Sequence, residues 1–219
     1  MTAEATTIPE RPSLETPSAY PIAEGRDVAA ILDPCPLTII GSRDAEGRTG
    51  FATVIWAMPV SHFPAMTAFA LRPKSHTMGI IKSSGYFSLS TLPSDTESVR
   101  IVEDCGGKTG HKTDKGLLVE HELIAACGNV ETESTEEAES QPTGEAESEP
   151  ALLPVPTHAL SWEICEVESI QEAGDHLLVV GRVIKAASKA SRDEKGRLAP
   201  IETLLCIQHD AYAPVGETI

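Results

Sequence analysis

The decapeptide RPKSHTMGII at residues 72–81 sets two cations, Arg72 and Lys74, just before the hydroxyls of Ser75 and Thr77 at the opening of a short helix. Both hydroxyl residues are N-cap types, and the first turn of any helix leaves backbone N–H groups without an intrahelical acceptor. Those donors, the positive end of the helix dipole and charge-assisted bonds from Arg72 and Lys74 suit the turn to holding a phosphate. His76 adds a further donor in the same turn. The alternative use of such a pattern is an ordinary capped helix after a strand.

Other chemistry-bearing residues form weaker constellations. The GKT triplet at residues 107–109 invites comparison with a nucleotide-binding P-loop, but that motif needs a glycine where Val102 stands and an apolar strand leading in. Cys105, His111, His121 and Cys127 are the ligand types of a structural zinc site. Their spacings of five, nine and five intervening residues match no common finger, so no metal is expected. A nucleophilic pair of Cys105 and His111 lacks an orienting third group and an oxyanion donor. Cys35, between two prolines in DPCPL, reads as a rigid strand entry. Five cysteines without a CxxC pair point to reduced thiols in a cytoplasm rather than to a disulfide framework.

The elements that must position the cationic turn are mostly strands. Residues 36–43 and 50–58 flank the turn DAEG, where Gly47 supplies the backbone freedom of a hairpin. A Pro-bounded loop at 59–64 leads to a strand at 66–71 that delivers the chain to the turn. Residues 77–84 read as a helix closed by Gly85, 86–92 as a strand, and 94–103 as a helix with Val99, Ile101 and Val102 on its apolar side. Residues 158–170 and 176–187 are two long strands joined by QEAGD, and 202–208 is a last short strand. Many short strands with one or two helices predict a closed antiparallel barrel.

The chain has 219 residues, 41% hydrophobic and only 4% aromatic, so aliphatic side chains must fill its core. A net charge of -16 disfavours nucleic acid and anionic membrane surfaces. Eight of those charges are glutamates at 129–150, a tract without Lys or Arg, which leaves -8 on the rest. Its composition cannot repay the entropy of ordering, so it is expected to be a disordered surface insertion, with an acidic partner-binding tract as the functional alternative. Residues 1–27 read as a disordered lead-in without the basic and apolar regions of a secretory signal. No apolar run approaches the roughly 20 residues of a membrane span.

Taken in order, PLTIIGSRDAEGR, TVIWAMPVSHFP, LRPKSHTMGII, YFSLSTLP, GHKTDKG and GDHLLVVGRV resemble the flavin reductase-like proteins, FMN-binding split barrels that include flavoredoxins and ferric reductases. The resemblance covers residues 30–190 or so. It implies a mainly β fold, a Greek-key antiparallel split barrel with a few short helices, in one domain over residues 28–219. It also implies noncovalent FMN, electrons from NAD(P)H or another donor, and a homodimer with the flavin close to the subunit interface.

Residue by residue, the resemblance sets Thr53, Val54, Ile55, Trp56 and Ala57 along the flavin ring. The family pattern there has asparagine where Gly50 stands and serine where Ile55 stands, so recognition of the ring edge is left to backbone N–H groups and Thr53. It assigns the phosphate to Arg72, Lys74, Ser75, His76 and Thr77. Lys115, ending GHKTDK beside Asp114, is expected near the flavin. His176 in GDHLLVVG is expected close to the flavin or the nicotinamide, where it would orient a ring. Three functions follow from these residues: an NAD(P)H-dependent flavin reductase or flavoredoxin-like oxidoreductase, a non-enzymatic flavin-binding electron carrier, or a barrel that has lost its flavin.

Overall fold

The computed structural model describes residue 25 and residues 27–126, 150–199, 201–208 and 211–215. The expected lead-in, apart from Gly25 and Asp27, and the acidic insertion, apart from Pro150, lie outside the described residues. Two units divide the chain, Met1–Asp33 and Pro34–Ile219. In the first, α1 is a single turn, Asp27–Ala30.

The second unit begins with β1 (Cys35–Pro36), β2 (Thr38–Arg43), β3 (Thr49–Val54), β4 (Ala57–His62) and β5 (Ala65–Leu71). Then come α2 (His76–Ser84), β6 (Tyr86–Thr91), α3 (Thr96–Gly107), a 3-10 turn at Lys115–Leu117, and β7 (His121–Ala125). β8 (Leu152–Pro156), β9 (Ser161–Ala173), β10 (His176–Ser188), β11 (Leu205–Gln208) and β12 (Ala211–Ala213) complete it. One antiparallel sheet carries seven strands in the order β3-β2-β6-β9-β10-β5-β4, beside a β1-β11-β12 sheet and a β7-β8 hairpin.

That strand order dictates the shape. β3 and β4 occupy opposite edges of the seven-stranded sheet, yet only Ile55 and Trp56 lie between them in the chain. Laid flat, seven strands would put the edges about 29 Å apart, whereas the three peptide steps from Val54 to Ala57 reach at most about 11 Å. The sheet therefore curls into an antiparallel barrel whose last gap is a seam between β3 and β4. The strand expected at 50–58 is thus two strands, broken at Ile55 and Trp56. The loop expected at 59–64 is largely β4, which accommodates Pro59 because among the described residues it is an edge strand paired only with β5.

β2 is central and buried on both faces, so its two isoleucines serve two cores. Ile39 packs with Leu37, Phe51, Val102 and Cys105 beneath α3, whereas Ile40 packs with Phe69, Met78, Ile81 and Phe87 beneath α2. A third cluster of Leu153, Val155, Ala159 and Ile164 lies beneath the β7-β8 hairpin. Gly181 is needed where a Cβ would meet Phe87 Cζ at 2.4 Å. α2 runs one residue earlier than expected and ends at Gly85, whose φ of 76° gives the left-handed cap. α3 starts at Thr96, capped by the Asp95 side chain accepting from Ser98 N–H at 2.8 Å, and runs on to Gly107 because Cys105 continues its buried face.

One buried group is poorly served. Glu163 on β9 faces Leu89 and Ala186, and its Oε2 has no hydrogen-bond partner among the described residues. Burial raises its pKa above the ordinary carboxylate value. A group whose folded pKa is raised costs stability as pH climbs from its unfolded pKa through the folded one. Glu163→Gln should therefore melt a few degrees higher than the wild type at pH 8 and no higher at pH 4. Thermal melts across that range test this; a constant difference would show that the carboxylate charge is not the cause.

Candidate functional site

The seam opens into a cavity of about 640 Å³, within the usual size of small-molecule sites. One wall is the free edge of β3. Asp44 N–H donates to Arg48 O, which fixes the hydrogen-bond alternation of the β2-β3 ladder. Gly50, Ala52 and Val54 bond to β2, so the main-chain groups of Phe51, Thr53 and Ile55 point to the unpaired edge. Phe51 O is taken by Lys115 Nζ at 2.9 Å, while the Thr53 and Ile55 segment lines the cavity.

Side chains on this wall do less than the backbone. The Thr53 hydroxyl donates to Val102 O at 2.9 Å, so towards a ligand it can accept but not donate. Ile55 packs against the core beneath α3. Ala57 lies past the cavity lining and packs against the α2 core. Gly50 lies outside the cavity altogether: a Cβ there would stand 2.9 Å from Ser42 Oγ and 3.1 Å from Ile80 Cδ1. Glycine at this position lets β3 lie close against the helix that carries the cationic turn.

The turn itself has its donors uncommitted. Arg72 and Lys74 are exposed, and among the described residues neither is in an ion pair. Ser75 is the N-cap of α2 but makes no side-chain capping bond. The N–H groups of His76, Thr77 and Met78 precede the first intrahelical bond, Gly79 N–H to Ser75 O at 3.1 Å. Thr77 is buried and lines the cavity. Burial, then the charges of His111 and Arg48, lower the pKa of His76, so its imidazole is neutral at pH 7. Its Nδ1 is buried with no partner among the described residues.

The third wall was harder to foresee. The end of α3, from Cys105 to Gly107, and the following Lys108, Thr109 and Gly110 all line the cavity. Gly110 makes room for the His76 ring, since a Cβ would fall 2.9 Å from His76 Nδ1. His111 then packs edge-on against His76, with ring centroids 5.1 Å apart, and its Nε2 is 3.2 Å from Lys74 O. The glycines at 106, 107 and 110 were the available signal in the sequence, because a backbone that must meet a ligand closely favours them. The Cys105 thiol points into the core, where burial pushes its pKa up to about 12, so it stays protonated.

Lys115 is a buried cation at this wall, only 6% exposed. Its ammonium donates to Phe51 O and Cys105 O, joining the β3 edge to the end of α3. Burial lowers its pKa. Asp114 does not pair with it, because that carboxylate caps the 3-10 turn by accepting from Gly116 N–H at 3.0 Å. At the rim, the Trp56 and His176 rings meet edge to face with centroids 5.0 Å apart. His176 Nδ1 is 2.7 Å from Asp175 Oδ1, so Nδ1–H donates to the carboxylate, which fixes the orientation of the ring.

A model of the flavin reductase-like domain matches residues 34–215. The chain belongs to the flavin reductase-like family. Solved structures agree with this membership in fold. An FMN-binding protein from Thermus thermophilus with bound 1-cyclohex-2-enone superposes with a TM-score of 0.70 at 23% identity, covering 94% of this chain and 99% of that one. The flavoredoxin of Methanosarcina acetivorans gives 0.64 at 22% identity, over 86% of this chain and 88% of that one. The styrene monooxygenase flavin reductase of Pseudomonas putida S12 gives 0.57 at 17% identity, over 89% and 99%.

The mainly β fold expected from the sequence is therefore the fold of this flavin reductase-like chain. Among the described residues no three His, Cys, Asp or Glu side chains gather as a metal site, and no helix is long and apolar enough to cross a membrane. Cys127, the fourth of the zinc-type residues, lies outside the described residues.

The double contact of Lys115 gives a stability test. Lys115→Met keeps the length of the side chain but leaves two buried carbonyls without a donor, which outweighs the relief of one buried charge. Urea unfolding should show a loss of about 2 kcal/mol. A loss below about 0.5 kcal/mol would mean that the wall holds together without the lysine.

Proposed function

We propose that this chain binds FMN noncovalently at the seam and works as an NAD(P)H-dependent flavin reductase. The observation that carries the reading is the set of groups left uncommitted, among the described residues, around one cavity: Arg72 and Lys74 without ion pairs, Ser75 without a capping bond, and the free edge of β3. A barrel that had lost its ligand would have no reason to keep solvated cations beside unsatisfied helix N–H groups. The donor set fits the cofactor. Arg72, Lys74, Ser75 and the first N–H groups of α2 suit a phosphate, and the main-chain N–H groups of Thr53 and Ile55 suit the polar edge of a flavin ring.

When bound, FMN supplies the hydride and electron chemistry. The chain's residues bind and orient. Lys115 would hold the β3 edge against the end of α3 at the cavity wall, keeping the backbone donors there in place. Trp56 and His176 frame the cavity rim, and Asp175 holds the imidazole with Nε2 available to a docking ring. Exposed Met58, Val60 and Phe63 along and just beyond the edge strand β4, next to Trp56, support assembly as a homodimer with the flavin near the interface.

Removing Arg72 and Ser75 together, as the double alanine variant, should cost FMN binding about 2–4 kcal/mol, hence well over tenfold in Kd, and cost riboflavin much less. Fluorescence titration of the two ligands makes the comparison; equal losses would put the phosphate elsewhere.

The carrier reading shares the same cavity and differs only in whether a nicotinamide docks over the ring. Under anaerobic conditions the FMN-loaded wild type should be bleached quickly by NADH or NADPH and then turn over with added free flavin or ferric chelate. His176→Ala should slow the bleaching about tenfold or more while FMN affinity stays nearly unchanged. Equal rates in both proteins would remove His176 from the reaction, and slow bleaching in both would favour the carrier.

A further inference from the structure

Cys35 on β1 stands directly opposite Cys206 on β11. Leu37 N–H donates to Leu204 O at 3.1 Å in the same ladder, so the alternation makes Cys35 and Cys206 a hydrogen-bonded pair. Facing Cα atoms in such pairs are about 5.5 Å apart. Disulfides span Cα separations of about 4.4–6.8 Å, most often about 5.5–6 Å. Opposed residues also project to the same face of a sheet, here the face of Leu37 and Leu204, both buried in the core beneath α3. Pro34 and Pro36 restrict the backbone on both sides of Cys35, which limits how far this geometry can relax.

The two thiols differ in access. Cys206 is 3% exposed, whereas Cys35 is only partly buried, so a small reagent meets Cys35 first. Cys105 and Cys165 are both buried, and burial pushes both thiols up and away from reactive thiolate. The β1-β11 pair is therefore the one place among the described residues where an accessible cysteine faces a second cysteine across a ladder.

We infer that Cys35 and Cys206 form a redox-active pair that closes to a disulfide on exposure to a peroxide. The Cys35 thiolate attacks the O–O bond, becoming a sulfenic acid and releasing water after proton uptake. The Cys206 sulfur then attacks the Cys35 sulfur and expels the hydroxyl, which leaves as a second water with the Cys206 proton. Two thiols lose two electrons in all, and one peroxide gains them. The bond staples β1 to its neighbour β11 and closes a loop of about 170 residues, where cross-linking restricts the unfolded chain strongly. It adds to the flavin reading and does not depend on it.

The test uses the full-length protein. After treatment with hydrogen peroxide, denaturation and alkylation, the five thiols of the wild type should fall to three, and peptide mapping should recover Cys35 joined to Cys206. The melting temperature should rise by about 5 °C and return on reduction with dithiothreitol. Cys35→Ser, at the more exposed member, should keep all four of its thiols and show no rise. Five thiols remaining in treated wild type, a cross-link between other cysteines, or oxygen added at Cys35 with Cys206 still alkylatable would each overturn the pair. A Cys35 to Cys206 bond without the rise in melting temperature would overturn its stabilising role.

Discussion

Two residues, Ile55 and Trp56, join strands that lie at opposite edges of a seven-stranded sheet, and the barrel is arranged around that short connection. Because the link is too short for an open sheet, the barrel must close. It closes without a ladder, since β3 and β4 do not pair. One edge of β3 is thereby left with main-chain donors and acceptors that no strand among the described residues satisfies. Buried or half-buried backbone groups need partners, so an unpaired edge inside a fold is a place for a ligand or a side chain to complete the bonding. Lys115 completes it at Phe51, and the cavity begins where Lys115 stops.

Electrostatics around the cavity follow from what is absent as much as from what is present. The chain carries a net -16, yet among the described residues no carboxylate is in an ion pair with Arg72, Lys74 or Lys115. The surface ion pairs of Arg100 with Glu97 and Asp104, or of Arg197 with Asp193, are solvated and contribute little to stability. Arg72 and Lys74 have no such partners among the described residues, so their charge at the cavity is not paired with a carboxylate. His76 is kept neutral there by burial and by neighbouring positive charge, so it can accept or donate one bond without adding charge.

The departures from the family pattern have different physical origins. Gly50 is not a vacant ligand contact: it sits under α2, where a side chain would collide with Ser42 and Ile80. Ile55 exchanges a hydroxyl for core packing beneath α3. Thr53 keeps its hydroxyl but commits the proton to Val102 O. Ile55 and Thr53 leave the β3 wall to present backbone rather than side-chain donors, which demands that the wall be rigid. The Lys115 bridge and the α3 core supply that rigidity.

Much of the local structure was legible in the residues. Gly47 and Gly85 marked their turn and cap, alternating apolar runs marked the long strands, and the cationic turn announced itself by composition. β7 and β8 were missed because Pro154 and Pro156 argue against a strand, and they are tolerated only because β8 is paired on one side. The break at Ile55 and Trp56 was missed because nothing local distinguishes it from a continuous apolar strand. By itself, the sequence determined which residues are suited to turns, strands and helix caps, since those preferences act over a few residues. Tertiary structure alone decided which strand edge stays open, that Lys115 turns inward to two carbonyls, that Thr53 gives up its proton, and that Cys35 faces Cys206. Each of these pairs groups from distant parts of the chain, 171 residues apart in the last case, and no short-range preference encodes such a meeting.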